Sequence, residues 1–142
     1  MPPESTSSLI AEITEPSIVE MVHTFYRKVR KDVVLGPVFN TTIAEGAWPA
    51  HLATMCRFWS AVMLTSGRYS GNPVAKHLAV TAIERSMFDR WLALWQETAS
   101  ELFVAPIAAE FILKATRIGA SLQMAIFRRL PERATRQAQT AA

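Results

Sequence analysis

Four side chains able to do chemistry stand where helical periodicity calls for plain core residues: Tyr26, His51, His77 and Trp91. Gathered in one cavity, they would offer one imidazole nitrogen as an axial metal ligand. Around it would stand three further hydrogen-bonding groups, a phenol, a second imidazole and an indole. That set suits a metal centre with a small polar ligand on the side away from its protein ligand. Each residue also has an ordinary reading. A core tyrosine or tryptophan whose polar atom seeks a partner is common, and a histidine is often a surface residue or a satisfied core one.

The elements that must position these groups follow from periodicity. Thr14 ahead of Glu15 and Pro16 predicts a helix start, after which Ile18, Val22, Phe25, Tyr26 and Val29 recur at three- and four-residue steps to about Lys31. Gly36 and Pro37 predict a turn that throws Phe39 to the start of a short helical piece or loop. Trp48, His51, Leu52, Met55, Phe58, Trp59 and Val62 form one stripe of a second long helix, whose first turn tolerates Pro49. Ser66 to Pro73, with Gly67, Gly71 and Asn72, predicts a hinge, and Pro73 can open a short helix that carries His77 one turn later.

Thr81 and Glu84 match a capping box and predict a third long helix with Phe88, Trp91, Leu92, Trp95 and Leu102 on its buried face. Pro106 restarts the chain as a fourth helix bearing Ile107, Phe111, Ala115, Ile118, Leu122 and Ile126, and Pro131 is expected to end it. There is no alternating strand pattern and no repeat. The expected class is therefore all-α, four principal helices packed in pairs.

At about 100° of rotation per residue, His51 falls within roughly 45° of the middle of its stripe, whereas His23 falls roughly 120° from the middle of its own. His23 is expected at the surface. An imidazole at position 51 must be hydrogen-bonded or face a polar ligand, so a satisfied core histidine and a functional one both fit. His77, after a flexible loop, can be aimed inward or lie on the surface.

The chain has 142 residues, half of them apolar, enough for a single domain over 1–142 with a true core. Residues 1–9 and 131–142 read as flexible tails. The first residues lack the basic start and apolar run of a secretory signal, and no apolar stretch is long enough to span a bilayer. A cytoplasmic protein without membrane contact is expected. Cys56 is the only cysteine, which rules out an internal disulfide; its plain reading is a small buried hydrophobe. The net charge of +3 is divided between Arg27, Lys28, Arg30 and Lys31 at one helix end and the arginines after Phe127. The aromatics lie on apolar faces and do not alternate with these cations, so nucleic acid binding is not expected.

Several ordered segments resemble the truncated haemoglobins, in particular their third group. They are FYRKVRKDVVLGPVF at 25–39, WPAH at 48–51, FWSAVML at 58–64, YSGNPVAKHL at 69–78 and FDRWLALW at 88–95. The likeness covers about Ile10 to Ile126. The other two groups typically carry Gly-Gly pairs at helix corners, whereas none of the five glycines here adjoins another. Two departures stand out: Val80 to Ile83 lacks the prolines of many relatives, and the polar tail after Pro131 is additional.

The resemblance implies a truncated globin fold, a two-over-two helical sandwich enclosing haem b (iron protoporphyrin IX). It implies His77 as the axial iron ligand, with Tyr26, His51 and Trp91 around the ligand-binding face. Phe39 would pack on the haem, Phe25, Met55, Phe58 and Phe88 would extend the pocket wall, and Arg68, Tyr69 and Lys76 would lie toward the propionates. A ligating imidazole needs an acceptor for its other N–H, and the Pro73 carbonyl one turn back is placed to supply it.

The implied ligands are O2, CO, NO and similar small molecules. Tight hydrogen bonding by Tyr26 and Trp91 suits O2, NO or peroxide chemistry, or sensing, better than bulk transport. A reductase partner and a monomer or weak dimer are expected. A peroxidase or NO dioxygenase is the alternative, with His51 or Trp91 handling protons or electrons. Two lesser readings are a bis-histidine electron carrier, in which His51 also ligates iron, and a cofactor-free helical bundle that binds a partner through its basic helix ends.

Overall fold

Local capping decides where the first helix begins. The Thr14 hydroxyl accepts from the Ser17 N–H at 3.1 Å and the Ser17 hydroxyl accepts from the Thr14 N–H at 2.8 Å, each satisfying a donor that the helix leaves unpaired. In the computed structural model, which describes residues 9–78, 80 and 83–141, this fixes α1 as Glu15–Lys31. Ile18, Met21, Val22, Phe25 and Val29 on its inner face are all 0% exposed, which makes α1 the centre of the core. His23 is half-buried.

After α1, the Asp32 carboxylate accepts from the Val34 and Leu35 N–H groups at 3.1 and 3.0 Å. Helix α2 (Leu35–Thr42) therefore starts earlier than expected. Gly36 and Pro37 belong to its first turn, where Pro37 sacrifices no hydrogen bond, and Phe39 sits in its middle. Glycine is required at 36 by crowding: a Cβ there would lie 2.9 Å from the Arg30 carbonyl oxygen. A 3-10 turn (Glu45–Ala47) leads into α3 (Trp48–Leu64), with Pro49 in its first turn as expected. The helix stops where Thr65 turns left-handed at φ 50°, followed by Gly67 at φ 72°. The irregular segment that follows is the expected hinge, and α4 (Pro73–Leu78) follows it.

Helix α5 (Arg85–Leu102) does not start at Thr81. Its N-cap is Glu84, whose N–H meets the Met87 sulfur at 3.5 Å. A carboxylate beside a helix N-terminus suits the dipole, so Glu84 takes the capping place itself. Thr81 lies outside the described residues. Helix α6 (Ala105–Ala141) continues past Pro131, where its end was expected. A proline removes one donor and crowds one carbonyl, but the alanine-, arginine- and glutamine-rich sequence beyond it favours helix.

Helix α1 packs on α3 and α5, α5 packs along α6, α2 closes over α1 and α5, and α4 rests on α6. The result is two helix pairs in contact through α1, the all-α architecture expected. Residue 10 ties the start of the chain to the α5–α6 corner: the Ile10 N–H donates to the Leu102 carbonyl at 2.8 Å and the Val104 N–H to the Ile10 carbonyl at 3.0 Å. Two buried polar groups of the core are paired within the protein. The Trp95 indole N–H donates to the Phe111 carbonyl at 3.0 Å, and Ser60, 0% exposed, donates to Glu15 at 2.7 Å. Across the outside, Lys28 of α1 bridges Glu97 and Glu101 of α5 at 2.8 and 2.7 Å. Among the described residues, no helix is long and apolar enough to cross a membrane.

Candidate functional site

Tyr26 projects from α1 into a ring of aromatic side chains. Its centroid lies 4.9 Å from Phe25, 5.9 Å from Phe39 of α2, 6.0 Å from Trp48 and 5.3 Å from His51 of α3. The contacts are edge-on or tilted, the geometry that aromatic quadrupoles favour. The residue keeps 6% of its surface exposed, and its hydroxyl makes no hydrogen bond to another described residue. Burial holds its proton well above the ordinary phenol range, with the nearby Cys56 thiol acting in the same direction. Tyr26 is therefore a neutral donor at any physiological pH.

His51 reaches the same place from the first turn of α3, its ring edge-on to Tyr26 and, at 5.4 Å, to Trp48. Its Nε2 is buried without a partner, and no other buried side-chain nitrogen or oxygen among the described residues is left so. Buried polar atoms are normally paired, so an orphan of this kind points to a partner that is not protein. Burial, with Lys76 and His77 acting in the same direction, pushes the His51 imidazole below its usual pKa. It is thus neutral at pH 7, and one of its nitrogens can accept.

His77 lies on α4, within electrostatic reach of His51. Its Nδ1 stands 2.6 Å from the Pro73 carbonyl oxygen, the acceptor expected one turn back. A carbonyl can only accept, so this contact places the proton on Nδ1 and leaves the lone pair of a neutral ring on Nε2. The residue is half-buried, not a plain surface histidine. The arrangement provides one oriented imidazole nitrogen fit for a metal. No group of three or more His, Cys, Asp or Glu suited to a metal ion occurs among the described residues.

The other expected residues divide. Trp91 of α5 meets Phe25, the neighbour of Tyr26, edge-on at 6.1 Å. Met55 and Phe58 are half-buried on α3 and pack on the core. Phe58 also lies edge-on to Tyr69 at 5.1 Å. Phe88, half-buried on α5, meets Phe127 edge-on at 6.0 Å. Of the three polar residues expected toward propionates, Lys76 is exposed and close enough to His51 to influence it. Arg68 pairs with Glu15 at 3.1 Å, both side chains being exposed.

Two neighbours of the site were not singled out. Trp48, 2% exposed, backs both Tyr26 and His51, and Arg30 covers its outer face with the guanidinium carbon 4.5 Å from the ring centroid. The signal was present in WPAH, which sets Trp48 one helical turn before His51 on the same face. Cys56, half-buried rather than fully buried, lies close enough to Tyr26 for the two to interact electrostatically; burial pushes its thiol up, so it stays protonated.

No protein-family model matches the chain. It is 31% identical over 118 residues to the group 3 truncated hemoglobin ctb of Campylobacter jejuni, an alignment covering 82% of this chain and 93% of that protein. The crystal structure of a group III truncated hemoglobin from Campylobacter jejuni matches the fold with a TM-score of 0.79 at 31% identity, over 83% of this chain and 94% of that one. With similarity at this level over most of both chains, in sequence and in fold, the chain belongs to the group III truncated haemoglobins.

Proposed function

We propose that this protein holds haem b between His51 and His77 and binds O2 or a related diatomic molecule there. The observation that carries this reading is the buried, unpaired Nε2 of His51, within electrostatic reach of an imidazole whose own Nε2 is left free by the Pro73 contact. His77 would be the axial ligand. Tyr26, His51 and Trp91 would surround the bound ligand, with Phe25, Phe39, Met55, Phe58 and Phe88 as apolar wall; Arg68, Tyr69 and Lys76 would lie toward the propionates. The haem, when bound, supplies ferrous iron to which a diatomic molecule can coordinate reversibly.

The chain's own groups decide how that ligand is treated. The Tyr26 hydroxyl and Trp91 indole N–H donate to a ligand that draws negative charge on binding, and favour O2 over weakly polar CO. Neutral His51 accepts, or donates after rotating, and so can gate the site or pass a proton. The Pro73 carbonyl fixes the His77 ring and raises its basicity. Two donors on one ligand make release slow, which suits O2, NO or peroxide chemistry, or sensing. A reductase in the cytoplasm would supply electrons, with the protein acting as a monomer or weak dimer.

Absorption spectra of purified protein, oxidised, reduced and under CO, test this directly. A Soret band that shifts on CO binding is expected. Folded protein without one, after expression with haem available, would favour the cofactor-free bundle instead. A low-spin ferric spectrum would show His51 itself closing the sixth position.

A further inference from the structure

Three of the four tryptophans form one stack. Trp59 of α3 and Trp95 of α5 lie face to face, centroids 4.3 Å apart and planes 21° from parallel. Trp91, one turn before Trp95, lies a further 6.1 Å away at 14°. At the other end, Phe58 meets Trp59 edge-on at 5.6 Å and Tyr69 at 5.1 Å. Trp95 and Trp59 are 0% and 2% exposed, whereas Tyr69 is only half-buried in the irregular segment after α3. The run thus leads from the edge of the site to a phenol in reach of water, and its middle is sealed.

Indole and phenol are among the side chains most readily oxidised by one electron, and stacked rings at van der Waals distance exchange electrons rapidly. Hydrogen bonding sets the direction. The Trp95 N–H is held by the Phe111 carbonyl, which accepts a hydrogen bond but is too weak a base to take the proton. An oxidised Trp95 therefore keeps its N–H and stays charged in an apolar core, an unfavourable state that passes the vacancy onward. Tyr69 can lose its phenolic proton to water as it loses an electron, so the vacancy comes to rest there. Phe58 is not oxidised; it fills the gap between Trp59 and Tyr69.

We propose that Trp91, Trp95 and Trp59 form an electron relay between the site and Tyr69, through which a one-electron donor in solution returns the electrons consumed when a peroxide is reduced. This relay rests on the haem reading above. Reduction breaks the O–O bond and takes two electrons and two protons, giving an alcohol or water plus water. Each electron moves inward from Trp91, the vacancy travels through Trp95 and Trp59, and Tyr69 fills it while releasing its proton to water. A donor such as ascorbate then returns one electron and one proton to the Tyr69 phenoxyl, so two donor molecules are oxidised per peroxide.

The test uses haem-loaded full-length protein with hydrogen peroxide and a nitroso spin trap. Radicals are followed by electron paramagnetic resonance, and adducts are located by peptide mass spectrometry. In the unaltered protein, Tyr69 should carry most of the adduct, and ascorbate should suppress it. Trp59→Phe should lose most of the Tyr69 adduct and gain oxidised Trp91 and Trp95. Tyr69→Phe, a mild change near the surface, should abolish that adduct and shift oxidation to the three tryptophans. Undiminished Tyr69 labelling in Trp59→Phe, or tryptophans free of oxidation in Tyr69→Phe, would overturn the relay while leaving the haem reading intact. A sample with no Soret band would overturn both.

Discussion

The hydroxyl of Tyr26 is the group whose removal is most informative. Phenylalanine at 26 keeps the ring and its contacts with Phe25, Phe39, Trp48 and His51, at 4.9, 5.9, 6.0 and 5.3 Å. Only the oxygen goes, and within the described residues that oxygen has no protein partner to lose. Folding stability should therefore barely change, because deleting a donor costs most when it leaves a protein acceptor unpaired. Ligand release is another matter. A hydrogen bond to a charged group is worth about 1.5–3 kcal/mol, and each ~1.4 kcal/mol is a factor of ten.

Tyr26→Phe should thus speed O2 dissociation roughly ten- to a hundredfold. CO release should change far less, since bound CO carries little charge. Stopped-flow replacement of O2 by CO measures the rate, and urea unfolding of the same two proteins measures stability. An unchanged O2 off-rate would remove Tyr26 from ligand binding. A large loss of stability with no kinetic effect would instead make the hydroxyl a structural group.

Other perturbations read other parts of the structure. His77→Gly should purify without its haem and regain a Soret band with added imidazole; full haem content without imidazole would refute axial ligation by His77. The Arg90 guanidinium, 2.6 Å from Asp32, holds that carboxyl below the usual carboxylate range, and the carboxylate side chain is only 4% exposed. The folded pKa being depressed, the associated stability is fully present above the unfolded value near ~3.9 and is lost as pH falls through the folded one. Urea midpoints followed from about pH 6 to about pH 2 should fall less steeply for Asp32→Asn than for the parent; parallel curves would show the pair contributes nothing. Gly36→Ala should destabilise by about 1–3 kcal/mol, because backbone must shift to admit the methyl. Thermal unfolding that matches the parent would mean the α1–α2 corner yields freely.

Much of the framework is written locally. Thr14, Glu15 and Pro16 set the start of α1 because capping chemistry acts over four residues, and the stripes of α1, α3, α5 and α6 are periodic enough to read directly. Corners were less legible. Gly36 and Pro37 resemble a turn in isolation, but Asp32 supplies the cap that lets a helix begin beneath them. Thr81 and Glu84 have capping-box spacing, yet the N-cap is Glu84, partnered by Met87, since spacing does not record which residue leaves helical backbone angles first. Pro131 carries a stop signal that the helix-favouring sequence around it outweighs.

The site shows the same division. The sequence by itself determined which residues could act: the polar rings at 26, 51, 77 and 91 are visible as departures from apolar periodicity, and Pro73 is fixed one turn from His77 by helical rise alone. Only the tertiary structure decided that the His51 Nε2 is buried and unpaired, that Trp48 backs it, that Arg68 is drawn to Glu15, and that Trp59 reaches Trp95 from another helix. Helical periodicity fixes the direction a side chain takes from its own axis. What it meets there depends on how helices distant in sequence cross, and that is set by the packing of the whole core.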